Sequence, residues 1–356
     1  MFFNWLGKNM KSNRLIYLLL LIIFAWLLII SFSMKDNNTS NNETIINEYN
    51  ISGFSTDFTN IYKDARNSIV TIQVDESTLS GFVYKQDNNR VYILTAYHGL
   101  ANANNITVLF GFSYTVDAYI LDYDHLLDLA VLYIDTPYQI EALKLGDSTL
   151  IKPGELVLSI GTPVSSDYAG SVELGMISDS ILSIDNSITY NDEKINYYMN
   201  VIEMSSSLKA GYSGSPILNM NGEVIGMNTM SSNNNINFAS TINEIKIVAD
   251  NIINNNKIDK TLFGIKGKYI KDMASYEKNN LNIQIDTISG LFVSKVRENS
   301  LAYNMGLRNN DVIISINDKP INNLNDYLDI CYAGSESYIF NIIRNGETIN
   351  LVSSND

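Results

Sequence analysis

The chain has 356 residues, enough for two or three domains, and 46% of them are hydrophobic, a fraction compatible with folded cores. With 24 Lys and Arg against 38 Asp and Glu its net charge is −14, which repels phosphates and argues against nucleic acid as a partner. Two histidines and one cysteine offer no convincing zinc site and no intrachain disulfide, and neither metal nor cofactor is expected.

Residues 15–34 form an apolar run without a formal charge, about the length of helix that crosses a bilayer. Lys8, Lys11 and Arg14 precede it, so the positive-inside rule leaves residues 1–14 in the cytoplasm and sends everything after Met34 outside. A cleaved signal peptide competes with this reading, because Ser31-Phe32-Ser33 has the small-residue spacing of a cleavage site. The length of the run favours an uncleaved anchor, and either reading exports the remainder. The polar tract over 35–53 reads as a flexible tether. Phe54, Phe58 and Tyr62 follow on a short segment with helical character.

From about Ser68 to Ala239 the text is dominated by short β-branched runs, such as Ile69-Val70-Thr71-Ile72, broken by Gly, Asn, Asp and Ser. That pattern predicts an all-β barrel or sandwich. Just after it, 242–253 predicts an amphipathic helix with Ile242, Ile245, Val248, Ala249 and Ile252 on one face, closed by Asn254-Asn255-Asn256. A second domain is expected over 261–354, where Arg344-Asn345-Gly346-Glu347 signals a hairpin turn. Cys331 reads as a small buried hydrophobe.

The candidate chemistry starts with Gly211-Tyr212-Ser213-Gly214-Ser215-Pro216. A serine hydroxyl is a weak nucleophile that needs exposure at a bend and a neighbouring base. The flanking glycines permit backbone shapes that aim N–H groups at a developing oxyanion. His98 ends the apolar run 91–97 and is the candidate base, with a strand-capping histidine as the bland alternative. His125, in Asp122-Tyr123-Asp124-His125, reads as a solvated surface residue. Asp128 sits inside Leu126-Leu127-Asp128-Leu129-Ala130. It is either a costly buried carboxylate kept to orient the imidazole or a solvent-facing position on an alternating strand.

The chain order His98, Asp128, Ser213 is that of the chymotrypsin-type triad. Around it, Ser80-Gly81-Phe82-Val83, Leu94-Thr95-Ala96-Tyr97-His98, Asp128-Leu129-Ala130-Val131-Leu132, Leu145-Gly146-Asp147-Ser148 and Ile160-Gly161-Thr162-Pro163 resemble, in order, the HtrA (Deg) serine proteases. So do the segments 171–178 and 221–229. Leu262-Phe263-Gly264-Ile265 is similar to the carboxylate-binding loop of that family's PDZ domain, and 291–296, 302–307 and 310–317 continue the likeness.

The resemblance implies a mainly β chain: two six-stranded β-barrels of chymotrypsin type over 54–256, then one PDZ domain over 261–354, behind an N-terminal transmembrane helix. It implies an endopeptidase with His98, Asp128 and Ser213 as triad and the Gly211 and Ser213 N–H groups as oxyanion hole. Leu262, Phe263, Gly264 and Ile265 then receive apolar peptide C-termini. Misfolded envelope proteins are the implied substrates, and a bacterial cytoplasmic membrane the implied location. A homotrimer built through the aromatic residues near Tyr62 is also implied, although these rings could simply pack on the first barrel. The competing function is a catalytically latent scaffold or sensor that acts through its PDZ domain.

The chain departs from the family's usual Gly-Asn-Ser-Gly-Gly at Tyr212 and Ser215, the latter standing where a glycine relieves crowding. The stretch 204–210 also departs and contains no acid, which implies cleavage after small or medium aliphatic residues rather than after Arg or Lys.

Overall fold

A computed structural model describes Ala25 and residues 51–353, apart from positions 76, 102, 112–113, 191, 207–208, 232–236 and 281–288. Except for Ala25, the expected membrane-crossing segment lies outside the described residues, as do residues 1–14 and the tether up to residue 50. Among the described residues no helix is long and apolar enough to cross a membrane. From Thr56 onward the chain forms one compact unit.

Helix α1 (Ile51–Ala65) leads into the first sheet. Its Phe58 and Tyr62 rings pack on the main core, in keeping with the plainer of the two expectations for them. The sheet contains β1 (Ile69–Val74), β2 (Ser77–Asp87), β3 (Arg90–Ala96), β4 (Ile106–Phe110), β5 (Tyr114–Asp117), β6 (Tyr119–Asp124) and β7 (Leu129–Asp135). Successive side chains of a strand point to opposite faces, and here both faces are buried. Val70, Val83, Ile93 and Leu132 fill the inside of the curled sheet. Their neighbours Ile69, Phe82, Leu94 and Val131 face the second barrel.

The expectation of two six-stranded barrels needs correction here. The first unit is a seven-stranded sheet in the order β5-β4-β1-β2-β3-β7-β6, without a closing ladder. Its end strands β5 and β6 are consecutive in the chain and separated only by Ala118, whose N–H turns to Ile106 O at 2.9 Å. One bent run therefore serves both ends, and the sheet is closed by covalent chain instead of by hydrogen bonds.

The second unit does close. β8 (Leu156–Gly161), β9 (Ser171–Tyr190), β10 (Glu193–Met204), β11 (Pro216–Leu218), β12 (Val224–Ser231) and β13 (Asn237–Thr241) form a barrel in the order β10-β13-β12-β11-β8-β9. Val157, Ile177, Ile202, Ile217 and Ile225 fill it. Helix α2 (Ile242–Ile253) buries the five residues expected of its apolar face, and also Glu244, which that pattern did not foresee.

A third sheet follows, with β14 (Ile265–Tyr269), β15 (Leu291–Val296), β16 (Val312–Ile316), β17 (Lys319–Pro320), β18 (Ile339–Arg344) and β19 (Glu347–Val352). Its order is β14-β15-β16-β18-β19, with β17 on β16, so β14 is an edge strand. Helices α3 (Ser275–Asn280), α4 (Leu301–Asn304) and α5 (Leu324–Ala333) accompany it, the last opened by a capping box of Asn323 and Asp326. Asn345 and Gly346, both at positive φ, make the expected turn between the paired Arg344 and Glu347. Cys331 is buried, and burial pushes its thiol up to about 12.

Candidate active site

Strand register brings His98 and Asp128 together. β3 and β7 pair up to Ala96 and Leu129, and one further bond, Tyr97 N–H to Asp128 O at 3.0 Å, extends the alignment past their ends. The chain then leaves the sheet in a single 3-10 turn, Tyr97–Gly99, that carries His98. Asp128 is not a solvent-facing position on an alternating strand. It ends a turn at positive φ (54°), between the fully buried Leu127 and Leu129. Aspartate tolerates that left-handed conformation better than most residues.

Its carboxylate grips His98 twice. Oδ1 accepts the backbone N–H of His98 at 2.7 Å, and Oδ2 lies 2.6 Å from Nδ1. The ring is half-exposed, and this bond holds its imidazole above the usual histidine range, against the opposing effect of burial. Nε2 is thereby left to face a proton donor.

His125 departs from the expectation of a solvated surface residue. It lies edge-on to both Tyr97 and Tyr123 at 4.9 Å, and those two rings stack at 4.1 Å beside His98.

Of residues 211–218, Ser213 alone is not buried. Its loop is fastened to the first sheet by Ser80, a residue of β2 to which sequence reasoning gave no role. Ser80 N–H donates to Ser213 O at 3.0 Å, and its hydroxyl donates to Gly211 O at 2.6 Å while accepting Thr162 N–H at 2.8 Å. A serine buried in an apolar run demands partners, and that demand was the available signal. Gly214 presses so close that a Cβ would stand 2.2 Å from Ser80 O and 2.8 Å from Ala96 N. With φ at 82°, only glycine fits there. Ala96 ends the strand that carries His98, so the serine loop and the imidazole share one anchorage. Among the described residues no hydrogen bond joins His98 to Ser213. Such contacts are often long in substrate-free sites and tighten on binding.

Peptide planarity decides where two N–H groups point. Ala210 O accepts Val164 N–H at 2.9 Å, so the Gly211 N–H of the same trans peptide points the opposite way. Tyr212 O accepts Ser215 N–H at 2.9 Å and the Ser215 hydroxyl at 2.6 Å, which turns the Ser213 N–H outward. Among the described residues neither N–H is given to a backbone acceptor.

Ser215, the apparent misfit, is thus a strut. It is fully buried, and its hydroxyl also meets Asn228 Nδ2 at 2.8 Å and Ser159 Oγ at 3.0 Å. The Tyr212 ring is buried as well, and burial pushes its hydroxyl up to about 12.

At the third sheet, Gly264 sits at φ 76°, where a Cβ would meet Ser300 Cβ at 2.3 Å. Gly264 O and Phe263 O accept the N–H groups of Arg297 (2.9 Å) and Ala302 (3.1 Å). The Phe263 ring is buried against Tyr338 and Phe340, so it serves packing. Leu262, half-buried, packs on the core shared by the first sheet and the barrel. A cavity of about 390 Å³ opens here, lined by Leu262 to Ile265, Tyr327 and Arg297, and on its far side by Tyr198 of β10. Arg297 reaches Asp185 Oδ1 (3.2 Å) and Tyr197 O (3.1 Å) and lies over the Tyr198 ring. Among the described residues no cluster of acidic, His or Cys side chains is placed to hold a metal ion.

The family model of the trypsin-like peptidase domain matches residues 79–227, and that of the PDZ domain matches 292–339. Serine protease Do-like HtrB of Bacillus subtilis is 30% identical over 282 residues, covering 76% of this chain and 60% of the relative. Serine protease HtrA-like of Staphylococcus epidermidis is 27% identical over 364 residues, 94% of this chain and 61% of the relative. The chain thus spans roughly three fifths of the length of these relatives. The solved structure of HtrA-type protease AlgW with tripeptide has the same fold, with a TM-score of 0.57 at 24% identity, over 83% of this chain and 95% of that one. This chain joins a trypsin-like peptidase domain to a PDZ domain, and the relatives it resembles are HtrA and Do-like serine proteases.

Proposed function

We propose that this chain is a serine endopeptidase of the HtrA type that cleaves unfolded proteins outside the cytoplasm. The observation that carries this is the common anchorage of the two half-sites. The His98–Asp128 couple and the Ser213 loop meet at the β2–β3 edge, with two N–H groups turned outward beside the serine. In the reaction His98 Nε2 takes the proton from Ser213 Oγ as that oxygen attacks the peptide carbonyl. The proton then passes to the leaving amine. Asp128 holds Nδ1 protonated and stabilises the imidazolium, while the Gly211 and Ser213 N–H groups receive the oxyanion. Each such donor contributes on the order of 3 kcal/mol to the transition state.

Around this chemistry stand four further readings. Residues 15–34 anchor the protein in a bacterial cytoplasmic membrane with residues 1–14 inside, as their charges suggest. The chain works as a homotrimer. It prefers small or medium aliphatic residues before the scissile bond. The cavity at Leu262 to Ile265 receives an apolar C-terminus that lengthens the sheet at edge strand β14. A latent scaffold has no need of a strut such as Ser215 beneath a partly exposed serine, and nothing in the site favours it.

The test is Ser213→Ala in the purified full chain with unfolded casein. Cleavage should fall about 10⁶-fold, and unchanged cleavage by the variant would overturn the assignment. For the cavity, peptides with free and amidated apolar C-termini are titrated, and equal affinity refutes carboxylate capture.

A further inference from the structure

Three times the described residues set a cation over a tyrosine ring and against a carboxylate. Arg90 lies 4.4 Å from the centre of the Tyr133 ring, and its guanidinium pairs with Asp135 at 3.0 and 3.1 Å. Arg297 lies 4.3 Å from the Tyr198 ring and reaches Asp185 at 3.2 Å. The buried Lys260 lies 5.7 Å from the Tyr332 ring and is bound to Glu244. The two attractions favour the same ion, because the face of a ring is electron-rich and a carboxylate adds a charged acceptor beside it.

A fourth place has the rings and the carboxylates but no cation of its own. An open groove of about 730 Å³ lies between the end of α1, the hairpin that joins β4 to β5, and the segment 136–141 after β7. Phe110, Tyr114 and Tyr138 bring rings to it, and Asp64 and Glu141 bring carboxylates. The Tyr114 and Tyr138 rings meet at 86° with centres 5.2 Å apart, which makes a corner. Phe110 continues the Tyr114 wall at 5.8 Å. Asp64 and Glu141 are exposed, and among the described residues neither forms an ion pair. No Lys or Arg lines the groove, and nearby Arg66 turns to the Tyr62 ring instead.

The corner is held in shape before any ligand arrives. Tyr138 is 59% exposed, yet its backbone is fixed on both sides. Its N–H donates to Thr136 Oγ1 at 3.3 Å, Gln86 Nε2 donates to its carbonyl at 3.0 Å, and Ile140 N–H donates to Gln86 Oε1 at 2.8 Å. The buried Thr136 hydroxyl also meets the Tyr114 hydroxyl at 2.9 Å, so one threonine sets both rings. A preformed site loses little freedom on binding. We infer that this groove receives an arginine side chain presented by the polypeptide that is being cleaved. A guanidinium is planar, so it stacks on one ring while its N–H groups reach a carboxylate, as Arg90 does with Tyr133 and Asp135. The net charge of −14 draws a basic segment towards the chain. β7 runs from Leu129, next to Asp128, to Asp135 at the groove, and its 7 residues span roughly 23 Å. An extended substrate covers that distance with about seven residues of its own. Arginine is thus selected far from the scissile bond, independently of the residue that precedes the cut.

The role in substrate capture rests on the peptidase reading, and the experiment separates the two. Binding is measured first, on the full chain carrying Ser213→Ala, by saturation-transfer NMR of acetyl-Gly-Arg-Gly-amide. The blocked ends of this probe leave no carboxylate for the cavity at Leu262 to Ile265, and its citrulline counterpart has the same shape without the charge. The arginine probe should bind in the millimolar range and the citrulline probe about tenfold more weakly. Tyr138→Ala and Glu141→Gln, both at exposed positions, should each weaken the arginine probe about fivefold. Tyr138→Phe keeps the ring face and should bind as the parent does. Salt at about 1 M should weaken binding throughout. Cleavage is then followed in the chain with Ser213 intact, on unfolded peptides with one arginine about eight residues before or after the cut. In one of the two placements KM should be about fivefold lower than for the citrulline counterpart, with kcat unchanged, and Tyr138→Ala should erase the difference.

Equal affinity for the arginine and citrulline probes overturns the proposal, as does binding that Tyr138→Ala leaves untouched. Binding as described with equal KM values in both placements overturns the role in substrate capture. Should the chain with Ser213 intact cleave nothing while the arginine probe binds as described, the peptidase reading fails and the arginine groove stands.

Discussion

The two halves of the candidate active site are held by different physics. The first sheet presents its base through one charged, partly solvated pair at its rim, Asp128 with His98. The second barrel holds its nucleophile loop by buried neutral contacts among Ser80, Ser159, Ser215 and Asn228. A charged pair at a rim responds to pH and loses its charge when the imidazole gives up its proton. A buried hydroxyl network does neither, but it tolerates almost no change of shape, because an unsatisfied buried group costs about 1–3 kcal/mol. The half that supplies the base should therefore answer to titration, and the half that supplies the nucleophile should answer to sterics.

The largest test of this contrast is Asp128→Asn. It keeps the shape of the turn but removes the charge, and kcat should fall on the order of 10⁴-fold with the fold intact. Denaturation checks the fold and initial rates check the loss. Gly214→Ala probes the other half. A methyl group 2.2 Å from Ser80 O must displace the loop, so activity should fall by at least about 10²-fold. Unlike Asp128→Asn, it should also cost about 2–3 kcal/mol of stability. Near-normal rates in Gly214→Ala would break the comparison.

Smaller effects sharpen it. Ser215→Ala deprives Asn228 Nδ2 of one partner and should cost about 1–2 kcal/mol without moving the pH profile. His98 supplies the pH test. Its folded value is raised, so kcat/KM should climb with pH through a value above about 6.5, the ordinary imidazole pKa. In Asp128→Asn that limb should move to lower pH. For stability the sign is the reverse of the activity trend. The contribution of the pair is full below the unfolded imidazole pKa and is lost as pH rises through the folded value. Chemical denaturation of wild type against Asp128→Asn across that range measures it.

Much of this was legible in the sequence because the signals are local. Short β-branched runs broken by turn residues marked the strands, the 242–253 stripe marked α2, and Asn345-Gly346 marked its hairpin. The chain order of His98, Asp128 and Ser213 pointed to the chemistry. Asp128 was ambiguous because an apolar run looks alike whether an aspartate sits on the strand or at the turn before it. Ser215 looked like a fault because its partners, Ser159 and Asn228, lie 56 and 13 residues away. The closure of the first sheet was misjudged because a single bend at Ala118 leaves little trace in composition.

What the sequence by itself determined is the inventory: which segments extend, which helix is amphipathic, and which serine, histidine and aspartate can do chemistry. Each follows from residue type and spacing over a few positions. Tertiary structure alone decided that Ser80 fastens the Ser213 loop, that two peptide planes turn their N–H groups outward, and that Lys260 and Glu244 are buried together. Those outcomes depend on groups that meet only when distant strands register and cores close, because a buried polar group takes whatever partner the packing brings to it.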